Sequence, residues 1–227
     1  MKTLNTITLC AAMAFLSTSA RAASYGDAVG DFTGGIGALD ITSVNVNNDA
    51  TTLTFTVNFA GDPTAASWYN YHVGISENLF GGAGGNMNST GGWGKDIQMS
   101  QGGMDFWVGS WGTGSSLYAW TGSAWNWISG PATSEDSSSL TLTVALSDLN
   151  LTAGNSFKFD VWTSDTGSDI VLDALSDTTA RSWNSTPFDT GSKWLSYEVA
   201  VVPEPGALSL LGLGAVAGIL RRRNCRG

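Results

Sequence analysis

Alternation of apolar and polar residues is the strongest pattern in the middle of the chain. Leu53, Phe55, Val57 and Phe59 alternate with Thr52, Thr54, Thr56 and Asn58, which places an apolar row on one face of a strand and a polar row on the other. Leu140, Leu142, Val144 and Leu146 repeat the pattern, and Phe157, Phe159 and Val161 do so again with Lys158, Asp160 and Trp162 opposite. Further strands are expected at Asp40–Val46, Tyr69–Ile75, Met104–Val108, Leu117–Trp120, Trp125–Ile128 and Trp194–Val199. These nine short segments, divided by clusters of Gly, Ser, Asn and Asp, predict an all-β domain, a β-sandwich of the jelly-roll or immunoglobulin-like class. Ser147–Leu151 reads as a turn or short helix, and no repeat of solenoid or propeller length is visible. Gly81–Gly114 holds 12 glycines in 34 residues and reads as a long loop with a short strand around Trp93–Met99.

One hairpin can be registered without coordinates. If Thr121-Gly122-Ser123-Ala124 is a four-residue loop, Trp120 faces Trp125 and Tyr118 faces Trp127, so four aromatic rings share one face of the hairpin. Leu117, Ala119, Asn126 and Ile128 take the other. Trp107 alternates with Phe106 and joins either layer, while Trp111 falls in the Gly-rich loop. Two readings stay open for Trp107, Trp111, Tyr118, Trp120, Trp125 and Trp127: rings that fill a core lacking disulfides, or a flat platform for the apolar faces of sugar rings.

The two ends differ from this middle. Lys2 precedes a largely apolar run through Leu16 that closes on Ala20-Arg21-Ala22, the order of a secretory signal peptide with cleavage after Ala22. A lipoprotein signal through Cys10 fits less well, because Leu9 stands where a small residue is wanted. At the other end, Pro203-Glu204-Pro205 is followed by fifteen uncharged residues, Gly206 to Leu220, and then by Arg221, Arg222 and Arg223. Fifteen helical residues reach about 22 Å, short of a hydrocarbon core of roughly 30 Å. Such a segment anchors weakly, with its arginines held in the cytoplasm. Gly212-x-Gly214-x-x-Ala217 lacks the preceding strand of a dinucleotide site, and Gly214-x-x-x-Gly218 suits close helix packing in lipid.

This tail resembles the sorting signal of the PEP-CTERM proteins of Gram-negative bacteria, and every part of the tripartite pattern is present. The resemblance implies an exosortase as processing partner, transient anchoring in the inner membrane, and transfer to the cell surface or an extracellular polysaccharide matrix. Signal peptidase is the partner implied at the other end. The expected organisation is a signal peptide at 1–22, an exported domain at 23–202 and the sorting signal at 203–227.

Charge narrows the chemistry of the exported segment. The whole chain has a formal net charge of −9, which excludes a nucleic-acid binder that works by displacing counterions from phosphates. Residues 23–202 contain no cysteine and carry four basic residues, Lys95, Lys158, Arg181 and Lys193, against 18 acidic ones. A neutral sugar or a divalent cation suits that field better than an anion.

The Gly-Asp-rich opening, Asp40-Ile41 leading a strand, Tyr118-x-Trp120-x-Gly122-Ser123-x-Trp125, Leu146-x-x-Leu149-x-Leu151 and Asp173-Ala-Leu-Ser-Asp177 together resemble sandwiches related to family nine carbohydrate-binding modules and DOMON domains. That resemblance implies binding of sugar, of haem, or of no known ligand. Haem fits poorly with His72 as the only histidine, and zinc lacks its Cys and His ligands. A Ser-His-Asp triad would have to pass through His72, and no G-x-S-x-G elbow supports one. No cofactor is required, but calcium takes oxygen ligands, and Asp165, Asp169, Asp173 and Asp177 recur every four residues, a tentative site in a loop. The expected protein is a secreted, non-enzymatic component of the polysaccharide matrix that binds carbohydrate. The alternatives are a structural matrix or coat protein without glycan binding and a polysaccharide hydrolase using two of the carboxylates.

Overall fold

The computed structural model describes residues 22–77, 93, 97–111, 114–167, 170–185 and 188–202. The expected signal peptide, apart from Ala22, and the tail from Pro203 onward lie outside the described residues. Fourteen strands are present among them: β1 (Ala23–Gly26), β2 (Ile41–Asn48), β3 (Thr52–Phe59), β4 (Tyr69–Ser76), β5 (Ile97–Gln98), β6 (Phe106–Trp111), β7 (Gly114–Trp120), β8 (Trp125–Ser129), β9 (Ala132–Glu135), β10 (Ser139–Ala145), β11 (Ser156–Asp165), β12 (Asp173–Ala174), β13 (Phe188–Asp189) and β14 (Leu195–Glu198). Among the described residues, helical structure is limited to single 3-10 turns at Gly37–Leu39, Pro63–Ala65 and Leu146–Leu149. No helix of the described residues is long and apolar enough to cross a membrane.

Two antiparallel sheets form a β-sandwich, as the alternation predicts. One has the order β1-β2-β3-β10-β9; the other runs β12-β11-β4-β6-β7-β8, with β14 also paired to β11. Leu53, Phe55 and Val57 of β3 and Leu140, Leu142 and Val144 of β10 are buried. They share a core with Val73 and Ile75 of β4, Val108 of β6, and Phe157, Phe159 and Val161 of β11. Ring contacts join the sheets: Phe55 stands edge-on to Phe159 at 5.5 Å, and Phe59 lies tilted against Tyr71 at 4.8 Å. Each such ring contributes about 1.5–3 kcal/mol when fully buried.

All nine expected strands occur, with borders moved by a few residues. The 3-10 turn takes in Leu146, which the alternation had assigned to a strand, because the chain there turns to leave β10. The Gly-rich stretch is more structured than its composition suggests. β6 continues to Trp111, which pairs in register with Gly114 at the start of β7, so Trp111 ends a strand instead of lying in a loop. β1 and β9, which the pattern missed, border the first sheet; β1 turns only Ala23 and Tyr25 to the core, and β9 carries no apolar row.

The second sheet is buried on both faces at its centre. Every residue of β4 is buried, because its outer face packs under a further layer containing the parallel pair β5–β13. Ile97, Met99, Met104, Trp107, Trp162, Val171, Ala174 and Phe188 form this second apolar cluster. Two glycines make room for its rings. A Cβ on Gly74 would sit 2.3 Å from the Trp162 ring, and one on Gly109 would sit 2.3 Å from the Trp107 ring.

That interlock generates a stability prediction. Gly74→Ala forces Trp162, fully buried, out of its place, and is expected to cost about 1–3 kcal/mol. Gly26→Ala, where an added Cβ meets nothing within 4 Å, is expected to leave stability within about 0.5 kcal/mol. Urea denaturation of the two variants beside the parent checks both.

Candidate functional site

The outer face of the second sheet carries the aromatic residues singled out in the sequence. Strand register brings Trp107 opposite Tyr118 and Tyr118 opposite Trp127, while Trp120 pairs with Trp125. The hairpin therefore has the register expected from its loop. The rings nevertheless fall into two groups. Trp107 is wholly buried: it stacks on His72 at 5.3 Å and 27°, and Trp93 stands edge-on to it at 4.7 Å. It offers no face to a ligand, so it is excluded from a surface platform. It does not fill the space between the sheets either; it belongs to the outer cluster.

The exposed group lies toward the β7–β8 edge. Trp127 is 61% exposed and Trp111 is 42% exposed. Tyr118, Trp120 and Trp125 are half-buried. Trp111 lies against Gly114, where an added Cβ would meet its ring at 2.5 Å, and contacts Trp93 edge-on at 4.8 Å. Trp120 and Trp125 are tilted 60° to one another, so the platform is not one flat plane but a stepped set of rings. The sequence reading missed a separate cluster, in which Trp68, 38% exposed, packs on Tyr69 and Trp183, and Trp183 on Phe32. These residues are remote in sequence, and only the fold joins them. His72 is fully buried, with its Nε2 2.8 Å from the Ser164 hydroxyl.

Among the described residues, Asp165, Asp173 and Asp177 of the four-residue series are not grouped as possible metal ligands. Asp177 takes Lys193 Nζ at 2.7 Å and the Thr179 hydroxyl at 2.9 Å. Asp165 ends β11, paired with Tyr69, and Asp169 lies outside the described residues. Asp173, on β12, turns instead toward Asp27 and Asp31, and one carboxylate oxygen from each lies within 4.8 Å of the others. Asp173 accepts from the backbone N–H groups of Ile41 at 2.6 Å and Ala174 at 2.8 Å. Asp40 accepts from Gly30 N–H through both oxygens. Burial, then the Asp173 carboxylate, push Asp27 up to about 8. Burial is also the main cause that pushes Asp173 up to about 8, with Asp31 adding to it. Asp31 is raised by burial and by Asp40.

Another buried acid lies at the end of β4. Glu77 is 6% exposed, its N–H donates to Asp105 at 2.7 Å, and burial followed by the Asp105 charge pushes its carboxyl up to about 7. Asp160, fully buried on β11, differs in being well supplied with donors: the hydroxyls of Ser176 and Thr190 reach it at 2.5 and 2.7 Å. Burial still raises it to about 6.

Comparison with known proteins bears on the tail. Residues 201–224 match the model of the PEP-CTERM protein-sorting motif, which covers the Pro-Glu-Pro, the apolar stretch and Arg221–Arg223. No curated protein matches the chain. The chain thus carries a signal that implies an exosortase as processing partner and sorting to the cell exterior through a membrane-anchored stage.

Glu77 supplies a pH prediction. Its folded carboxyl holds a proton to about pH 7, against an ordinary value of 4.5. The resulting stabilisation is complete below about pH 4.5 and is lost as pH rises through 7. Glu77→Gln, a neutral stand-in for the protonated acid, is expected to match the parent at pH 4. It should exceed the parent by up to about 2 kcal/mol at pH 8. Chemical denaturation at the two pH values checks the difference.

Proposed function

We propose that the domain is a non-enzymatic, carbohydrate-binding component of the extracellular polysaccharide matrix of a Gram-negative bacterium, and that it holds neutral glycan at the β7–β8 edge. The observation that carries this reading is the partition of the rings. Trp127 and Trp111 stand 61% and 42% exposed while Trp107 is fully buried. A core needs no tryptophan turned to solvent, whereas an apolar sugar face gains contact area on one. Half-buried Tyr118, Trp120 and Trp125 flank Trp127 as a rigid base with few rotamers to order on binding. The acidic excess of residues 23–202 favours an uncharged polymer over an anionic one.

Export in this reading begins with a signal peptide removed after Ala22 by signal peptidase. It ends with removal of the tail near Pro203-Glu204-Pro205. The sorting motif supports the second step and a destination outside the inner membrane.

Two measurements test the proposal. In affinity electrophoresis through gels containing neutral polysaccharides, the protein should be retarded by at least one of them. Trp127→Ala should weaken that binding about ten-fold or more, equivalent to about 1.4 kcal/mol, with its melting temperature unchanged. Trp107→Ala should instead cost about 3–5 kcal/mol of stability. Absence of retardation in every gel, with surface assembly intact, would favour a structural coat protein. Release of reducing ends would establish a hydrolase. In the tail, replacing Pro203-Glu204-Pro205 by alanine should leave export intact but retain the protein in the inner membrane, as membrane fractionation would show. A surface form whose intact mass still includes Arg221–Gly227 would overturn removal of the tail.

A further inference from the structure

We propose that Asp27, Asp31 and Asp173 form a calcium site that fastens the N-terminal end of the domain to β12. Their geometry suits the ion: the three oxygens lie within 4.8 Å of one another, and oxygens on opposite sides of a calcium ion, each 2.3–2.6 Å from it, are about 4.6–5.2 Å apart. All donors are carboxylate oxygens, the choice of a hard cation and not of zinc.

The second observation concerns Asp31 alone. It is 7% exposed, and neither of its carboxylate oxygens closes a hydrogen bond of normal geometry, although the Asp31 and Phe32 N–H groups and the Asp173 carboxyl lie close enough to ease its burial. Asp27 Oδ2 is likewise buried without a donor. A buried carboxylate normally collects N–H or O–H groups, as Asp160 does on β11. Here the oxygens face other carboxylates, an arrangement that a bound cation relieves. Asp173 already uses its oxygens to orient β12 against Ile41 N–H, so one member of the set is rigidly placed. Arg181 acts electrostatically on Asp173, but its Nε donates to the Val171 carbonyl at 2.8 Å. Once ionised, the three carboxyls outweigh one guanidinium, and a cation that binds them favours that ionised form.

The ligands also share a mechanical role. Asp27 follows β1 directly, and Asp31 lies in the segment that joins β1 to β2. That segment is tied to the chain near Arg181 by Arg181 N–H to the Asp31 carbonyl at 2.7 Å and Thr33 N–H to the Arg181 carbonyl at 2.8 Å. An ion bridging Asp27 and Asp31 to Asp173 closes the same junction from the side-chain direction, joining residues almost 150 positions apart in sequence.

The test uses the full chain, stripped with chelator. Calorimetric titration with calcium chloride should show one site of micromolar affinity, and 1 mM calcium should raise the melting temperature by about 5 °C or more relative to chelator. Asp31→Asn removes one ligand charge without changing shape, and should fold normally while abolishing both signals. Asp27→Asn, at a half-buried position, serves the same purpose if the first variant does not fold. Asp177→Asn should keep both signals. A silent titration with an unchanged melt overturns the proposal, as does a calcium response that survives both Asp27→Asn and Asp31→Asn or disappears in Asp177→Asn. An equal response to magnesium overturns the assignment to calcium.

Discussion

Burial of β4 on both faces is the constraint on which the rest of the structure depends. A sheet in an antiparallel sandwich ordinarily offers one face to water, but here Val73 and Ile75 point into the space between the sheets while His72 and Gly74 lie under a second apolar layer. The second layer exists because Gly74 and Gly109 let the Trp162 and Trp107 rings lie directly on the strand backbone. With no cysteine in residues 23–202, cross-linking is replaced by ring volume. The domain is thereby three layers deep at its centre and only two at the β7–β8 edge, where tryptophans reach solvent.

That difference in depth explains why one run of aromatic residues has two chemical fates. Trp107 and Trp127 both belong to the outer face, joined through Tyr118, yet one is fully buried and the other largely exposed. The layer built on β5 and β13 covers the first and stops short of the second. The carboxylates obey a related logic. Asp160 is buried among hydroxyls and N–H groups that hold it, whereas Asp31 is buried among charges of its own sign.

The fold was legible wherever one face of a strand is apolar and the other polar. β3 and β10 announce themselves through Leu53–Phe59 and Leu140–Val144, and the length of Thr121–Ala124 sets the register of Trp120 on Trp125. Short strands at the sheet borders were not legible, because β1 shows only Ala23 and Tyr25 to the core and β9 has no apolar row. The exposure of each tryptophan was hidden for a deeper reason. Period-two alternation tells which face a residue takes, but not whether a distant segment such as 97–104 will later cover that face. The aspartates misled through local regularity: a spacing of four suggests one group, while the chain from β11 to β12 reverses direction and sends Asp173 and Asp177 to different partners. Asp27 and Asp31 could be joined to Asp173 only by knowing that β1 and β12 approach across the sandwich.

The last fixed point of the folded body has a spatial consequence. Val199 N–H donates to the Asn155 carbonyl and Ala200 N–H to Asn48 Oδ1, while Val201, where the sorting motif begins, is already 64% exposed. From Ala200 to Gly206, where the uncharged stretch begins, the leash is six residues, at most about 20 Å of extended chain. A body on so short a leash cannot tumble away from the bilayer while its tail is anchored. The connection leaves the body just after β14, so that end is held nearest the anchor. Cutting the connection turns a molecule confined to the plane of a membrane into one that diffuses in three dimensions.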